Sequence, residues 1–315
     1  MRTYYAFRLG VLLAGIIPHR LAYWLCSVIG NALFYVSGNA RRAVQDNLRH
    51  VFGAQVGPRK LNRTTRAVFR NMIKNYYELF CLPHFTAEQL RERVQVLGAE
   101  HMADGLKGGR GAIIFAGHIG NFNLASQLAV VLGFPANIVA EQMHPPILHE
   151  FVSGLRERFG LKLIPLGPDV VRGIVHALRH NELLGLAADR DLTDNSIPIT
   201  FFGEATELPS GLAALSLRLR TPLIPIHVIR RGNDRTVVRI YPPLQLTRSG
   251  DRDADVQAGT QQVARVLEAM IRRTPDQWVV MQPVWPDPPP PALPPPVAAN
   301  PTSRDPAVPV AARSA

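Results

Sequence analysis

Apolar and polar positions divide this chain into stretches of different texture. Residues 4–36 are strongly apolar, as one run over 4–17 and a second over 21–36, separated by Pro18-His19-Arg20. Each run is shorter than the roughly 18–20 residues needed to span a bilayer, and Arg8 interrupts the first. The pattern predicts two helices. They either pack as a buried pair or form a hairpin embedded in, or lying along, a membrane. Tyr4, Tyr5, Tyr23, Trp24 and Tyr35 suit a water–lipid interface. No small-residue cleavage pattern follows a single short apolar core, which argues against a cleaved signal peptide.

From about Leu97 short apolar runs alternate with helical periodicity. Strands are expected over 112–116, 136–140, 161–165, 183–188, 223–229 and 236–240. Helices are expected over 123–132, 147–159, 170–178, 212–219 and 255–271. Such alternation predicts an α/β fold with a mostly parallel sheet flanked by helices. Toward the end, residues 288–291 and 294–296 are all proline. A segment of that composition cannot build a packed core and reads as an extended, disordered tail. The expected division is therefore 1–37, an apolar helical membrane-associated segment; 38–285, the α/β domain; and 286–315, the proline-rich tail.

Charge sharpens the picture. The formal net charge is +11, from 35 Lys+Arg against 24 Asp+Glu. That balance calls for an anionic partner: nucleic acid, a membrane surface or a phosphorylated substrate. Between Gly38 and Tyr77 lie Arg41, Arg42, Arg49, Arg59, Lys60, Arg63, Arg66, Arg70 and Lys74, with Asp46 the one acid. Basic residues just after an apolar anchor are drawn to anionic head groups by roughly 1 kcal/mol each, and the positive-inside tendency places them on the cytoplasmic face. The cluster lacks interleaved stacking aromatics and any nucleic-acid recognition pattern, so nucleic acid is not expected as a partner. Cys26 and Cys81 are the only cysteines, too few and too dispersed for a disulfide scaffold or a zinc site.

The candidate chemistry sits at the end of the strand expected over 112–116. Gly117-His118-Ile119-Gly120-Asn121-Phe122-Asn123 places a histidine at a strand-to-helix turn, where open α/β sheets present catalytic groups. Histidine is the side chain best suited to move a proton near neutral pH. Gly117 and Gly120 let the backbone approach a ligand closely, and the helix start beyond Asn121 offers free N–H groups to an anion. A carboxylate is expected five residues after His118, but that position holds Asn123. Asp189 and Asp191, at the end of another expected strand, are candidates to supply the missing charge, with Asp189 first. Arg190 between them suits a phosphate. Arg156 and Arg158 are further candidates to contact a substrate, and Leu208-Pro209-Ser210-Gly211 suggests a backbone-rich ligand wall at Gly211. His144 and His149 flank Pro145-Pro146, which spoils helical metal-ligand spacing, so no metal site is expected.

Taken together, Asn47-Leu48-Arg49-His50-Val51-Phe52, Gly117-His118-Ile119-Gly120-Asn121-Phe122, Phe201-Phe202-Gly203-Glu204, Leu208-Pro209-Ser210-Gly211 and Thr274-Pro275-Asp276-Gln277-Trp278 resemble the lipid A late acyltransferases and the related phosphatidylinositol mannoside acyltransferases. The resemblance covers roughly residues 5–285. It implies a glycerolipid-acyltransferase-like core and an O-acyltransferase at the cytoplasmic face of a bacterial inner membrane. The acyl group would pass from acyl-carrier protein or coenzyme A, a cosubstrate, to a hydroxyl of a membrane glycolipid or lysolipid, with no cofactor or metal. His118 matches the histidine of the family's His-x4-Asp/Glu motif, and Asn123 departs from its acid. The resemblance implies catalytic roles for His118, for the 123 position and for a more distant acid such as Asp189. The candidate substrate contacts are Gly120, Asn121, Arg156, Arg190, Asp191 and Gly211. Asn123 also keeps open a catalytically impaired lipid-binding homologue of the same fold.

Overall fold

The computed structural model describes residues 1–190, 195–232 and 235–286. The chain opens with helices α1 (Arg2–Ile16), α2 (His19–Val36), α3 (Gly38–Phe52) and α4 (Pro58–Cys81). There follow α5 (Ala87–Arg93), β1 (Val94–Leu97), α6 (Glu100–Leu106), β2 (Ala112–Ala116), α7 (Phe122–Val131), β3 (Ala136–Ala140), α8 (Pro146–Arg156), β4 (Lys162–Pro165), α9 (Val170–Arg179) and β5 (Leu183–Ala187). The remainder is β6 (Ser196–Phe201), β7 (Glu204–Pro209), α10 (Gly211–Leu219), β8 (Leu223–Arg231), β9 (Arg235–Ile240), α11 (Arg252–Arg273) and a single 3-10 turn, Pro275–Gln277.

Seven strands form one sheet in the order β1-β9-β8-β2-β5-β3-β4. Its centre is parallel: β2 pairs with β5 and β8, and β3 with β4 and β5. Only the β8–β9 pairing is antiparallel within this sheet. Helices cover both faces, which explains the unbroken apolar run of β2. Ile113 and Phe115 face one core with α9 and α11, whereas Ala112 and Ile114 face the other with α7 and α8. β6 and β7 form a separate antiparallel hairpin. Phe202 and Gly203 make its two-residue turn with φ of 52° and 85°, the positive-φ pair that tight hairpins require.

Every strand expected from the sequence is present within a residue or two at its ends. β1, β6 and β7 are additions, short or interrupted by Pro198. The proline-rich tail beyond residue 286 lies outside the described residues, as does Asp191.

α1 and α2 are two-faced. Their inner faces pack on α4 through Ala14, Ala22, Tyr23 and Cys26 against Tyr77 and Cys81. Their outer faces expose Leu9, Leu12, Ile16, Trp24, Val28, Tyr35 and Val36. Among the described residues no single helix is long and apolar enough to cross a membrane; α2 and α3 together pass on length and composition but meet at a 97° bend. The α2–α4 crossing depends on Gly30, where an added Cβ would sit 2.6 Å from the Arg70 Cα. Gly30→Ala must therefore spread the two helices, at a cost of about 1–3 kcal/mol. Urea unfolding of the variant should show that loss, and an unchanged midpoint would contradict this packing.

Candidate active site

β2 ends at Ala116, and the chain turns through Gly117 to His118. β5 lies beside it with Ala187 opposite Ala116, and the Ala188 N–H donates to the Ala116 carbonyl at 2.9 Å. This neighbouring strand end brings Asp189 under the turn. The His118 backbone N–H donates to Asp189 Oδ2 at 2.7 Å, and His118 Nδ1 lies 2.7 Å from Asp189 Oδ1. A carboxylate only accepts, so Nδ1 carries the hydrogen. In the neutral ring Nε2 is then the free base, and the His118 side chain keeps 22% of its exposure while that of Asp189 has 0%.

A third donor comes from far along the chain. Trp278 Nε1–H donates to Asp189 Oδ2 at 2.9 Å. The segment carrying Trp278 runs antiparallel to the histidine turn: Gly120 N–H donates to the Gln277 carbonyl at 3.1 Å, and Val279 N–H to the His118 carbonyl at 2.8 Å. Asparagines of the N-terminal helices hold that segment. Asn47 bonds the backbone of Val280, Gln282 and Val284, and Asn71 donates to the Asp276 carbonyl. Burial pushes the Asp189 carboxyl pKa upward, but the His118 charge, the two His118 bonds and the Trp278 bond outweigh it, and the net pKa is lowered.

Gly120 has a φ of 65°, and a Cβ there would meet the Val228 carbonyl at 2.4 Å, so only glycine passes. Asn121 caps α7 by accepting the Leu124 N–H at 3.0 Å. Phe122 stands edge-on to the imidazole with centroids 5.4 Å apart. Asn123 belongs to a different neighbourhood. It is buried in the first turn of α7, and its amide donates to the Asn75 carbonyl of α4 at 3.2 Å.

Arg190 sits at the same carboxyl edge of the sheet. Its guanidinium lies 3.9 Å from Glu141, just after β3. With the Gln282 amide oxygen turned toward it, that oxygen accepts from both Nε and Nη2 at 3.0 Å. The sequence offered no signal for Glu141 or Gln282. Trp278 stood within the Thr274–Trp278 motif with no signal of a polar role, and its ring is buried. Arg156 ends α8, half-buried; loss of solvent lowers its pKa, and Tyr76 of α4 is its charge neighbour. Among the described residues Arg156 shows no contact with His118 or Asp189. Gly211 opens α10 with open space over its Cα. No cluster of three or more His, Cys, Asp or Glu among the described residues is arranged to hold a metal ion.

Trp278→Phe keeps the aromatic ring and removes one donor from a buried carboxylate. The expected loss is about 1.5–3 kcal/mol, as for other hydrogen bonds to charged groups, measured by chemical denaturation. A carboxyl with a depressed native pKa stabilises the fold fully above its unfolded value near 4 and loses that contribution as pH falls through the native value. The stability advantage of the wild type over Asp189→Asn should therefore be largest above about pH 4 and shrink below it. Thermal melting across the acid range reads this directly, and a gap that widens on acidification would contradict it.

Residues 2–286 match the model of a family described as bacterial lipid A biosynthesis acyltransferase. A phosphatidylinositol mannoside acyltransferase of Mycolicibacterium smegmatis is 34% identical over 225 residues, covering 70% of this chain and 71% of that protein. One from Mycobacterium tuberculosis is 31% identical over 215 residues, covering 66% of each chain. The chain belongs to the bacterial lipid A biosynthesis acyltransferase family and is an acyltransferase.

Proposed function

We propose that this protein moves a fatty acyl group from an acyl thioester, acyl-coenzyme A or acyl-carrier protein, to a hydroxyl of a membrane glycolipid of the phosphatidylinositol mannoside kind. The observation that carries the reading is the His118–Asp189 pair, with Nδ1 tied to the carboxylate and Nε2 left as the base. In the proposed reaction Nε2 takes the proton from the acceptor hydroxyl as its oxygen attacks the thioester carbonyl. The tetrahedral intermediate then collapses, the C–S bond breaks, and the imidazolium returns the proton to the departing thiolate. Asp189 holds the ring in one tautomer and balances its charge while the proton is held. This role for Asp189 removes the need for an acid at position 123, and with it the support that Asn123 lends to a non-catalytic homologue.

Substrate contacts are assigned by position. Arg190, at the mouth beside Glu141 and Gln282, suits a phosphate of donor or acceptor. Arg156 supplies a partly desolvated cation on α8. Gly120, Asn121 and Gly211 shape the backbone wall, and Asp191 adjoins Arg190 in sequence. The exposed apolar faces of α1 and α2, with the basic side chains of α3 and α4, support a protein lying on the anionic cytoplasmic face of a cell membrane.

Labelled acyl-coenzyme A and phosphatidylinositol mannosides in vesicles test the mechanism. His118→Ala and Asp189→Asn should each lower acyl transfer by about 10²–10⁴-fold, the range of general-base catalysis. Asn123→Asp should change the rate modestly. A severe loss on changing Asn123, with Asp189→Asn nearly normal, would reverse the assignment.

A further inference from the structure

A second constellation of charge lies on the same carboxyl edge of the sheet, one strand away from the histidine turn. β8 runs parallel to β2, and its last residues reach past the turn that begins at Gly117. There Arg230 enters a cavity of about 240 Å³ bounded by Arg70, Asn71 and Lys74 of α4, by Gly232 after β8, and by Asp276 and Gln277 of the C-terminal turn. The volume lies below the roughly 300–1,000 Å³ of ordinary small-molecule pockets, so it suits one compact polar group. Its wall is almost wholly polar.

The cations of this cavity differ in how they are satisfied. The Arg230 side chain is 3% exposed and pairs with Glu78. Its Nε donates to Glu78 Oε1 at 2.9 Å, and Nη1 to Asn71 Oδ1 at 2.9 Å. Gln277 fixes the strand end by accepting the Arg230 N–H at 2.7 Å and donating to its carbonyl at 3.1 Å. Arg230 is therefore a fixed and neutralised wall. Arg70 and Lys74 are not: among the described residues neither forms an ion pair or a hydrogen bond through its side chain. Lys74 stands half-buried with its ammonium 5.5 Å from the Tyr23 ring of α2. Loss of solvent, and then the charge of Arg230, pull its pKa below the ordinary lysine value, against the opposing pull of Glu78.

Charge counting identifies the ligand class. Arg70, Lys74 and Arg230 face Glu78 and Asp276, so the site carries one uncompensated positive charge. With Glu78 taken up by Arg230, two half-buried cations share the single carboxylate of Asp276, and they lose less on burial when an anion joins them. A phosphodiester carries one negative charge and several acceptor oxygens, matching both the residual charge and the donors.

We propose that the cavity between α4, the end of β8 and the Pro275–Gln277 turn is a binding site for a phosphate group, held by Arg70 and Lys74 against the fixed Arg230. The site does not depend on the acyl-transfer reading, because binding alone defines it. Two sources carry the same chemistry: the diester of a phospholipid head group, and free phosphate. The charge match and the position of Lys74 against α2, whose next residue Trp24 is exposed, favour the head group. An occupant would also touch the turn whose following residue, Trp278, bonds Asp189.

Calorimetric titration of the full chain at low salt tests this with two probes, soluble short-chain phosphatidylinositol and inorganic phosphate. Wild type should bind the lipid. Arg70→Gln/Lys74→Gln should weaken that binding about tenfold or more, because each cation lost removes a charge-assisted contact. Arg252→Gln/Arg265→Gln, which removes the same charge from exposed positions of α11, should leave it unchanged. Lys74→Gln alone gives a partial loss if the double variant folds poorly. Binding of inorganic phosphate but not of the lipid, with the same dependence on Arg70 and Lys74, would support the site with free phosphate as its ligand. Binding of neither probe, or equal weakening by both pairs of substitutions, would overturn the proposal.

Discussion

The buried carboxylate of Asp189 is the constraint around which this structure is arranged. An ionised carboxylate away from water is tolerated only when donors replace the lost hydration. Here three donors do so, from two distant parts of the chain: the ring and backbone of His118, and the indole of Trp278. The bonds reach in from the end of β2 and from the segment after α11, and they converge beside the end of β5. Satisfying one charge thus joins the parallel centre of the sheet to the C-terminal segment, and it also sets the tautomer of the one histidine at the strand-to-helix turn.

That convergence requires the C-terminal segment to be held in place, and the N-terminal helices hold it. Asn47 of α3 and Asn71 of α4 bond its backbone on either side of Trp278. α4 in turn carries Glu78, which neutralises Arg230 at the end of β8, and Tyr23 of α2 donates to the same carboxylate at 3.0 Å. Removing one partner from such a buried pair typically costs about 3–5 kcal/mol, since the other charge is left alone. The apolar N-terminal hairpin is therefore part of the folded body through its inner face, while its outer face remains apolar and exposed.

The central strands were legible because both faces of a parallel sheet are buried, and runs such as Ala-Ile-Ile-Phe-Ala then have one reading. β1 and the β6–β7 hairpin were not, because edge and hairpin strands are half-exposed and Pro198 interrupts the pattern. At the site, the turn around His118 was marked by its glycines and by the helix start beyond it. Asp189 stood out as a polar residue ending an apolar strand. Trp278 could not be distinguished from an ordinary core tryptophan, because what matters is where its single N–H points. The cavity at Arg70 and Lys74 left no trace beyond a basic run, since its third cation lies more than 150 residues away, on β8.

Local order along the chain was enough to determine the class of fold, the helix–strand alternation and the histidine at a strand end, because each depends on short-range periodicity and on glycine's backbone freedom. The partner of that histidine was decided only in three dimensions. Sequence spacing nominates position 123, yet the rotation of α7 turns Asn123 toward α4. Strand order puts β5 beside β2, so a residue 71 positions away meets the imidazole. Lateral neighbours in a parallel sheet are set by how the crossover helices pack, and that packing is a property of the whole core rather than of any one segment.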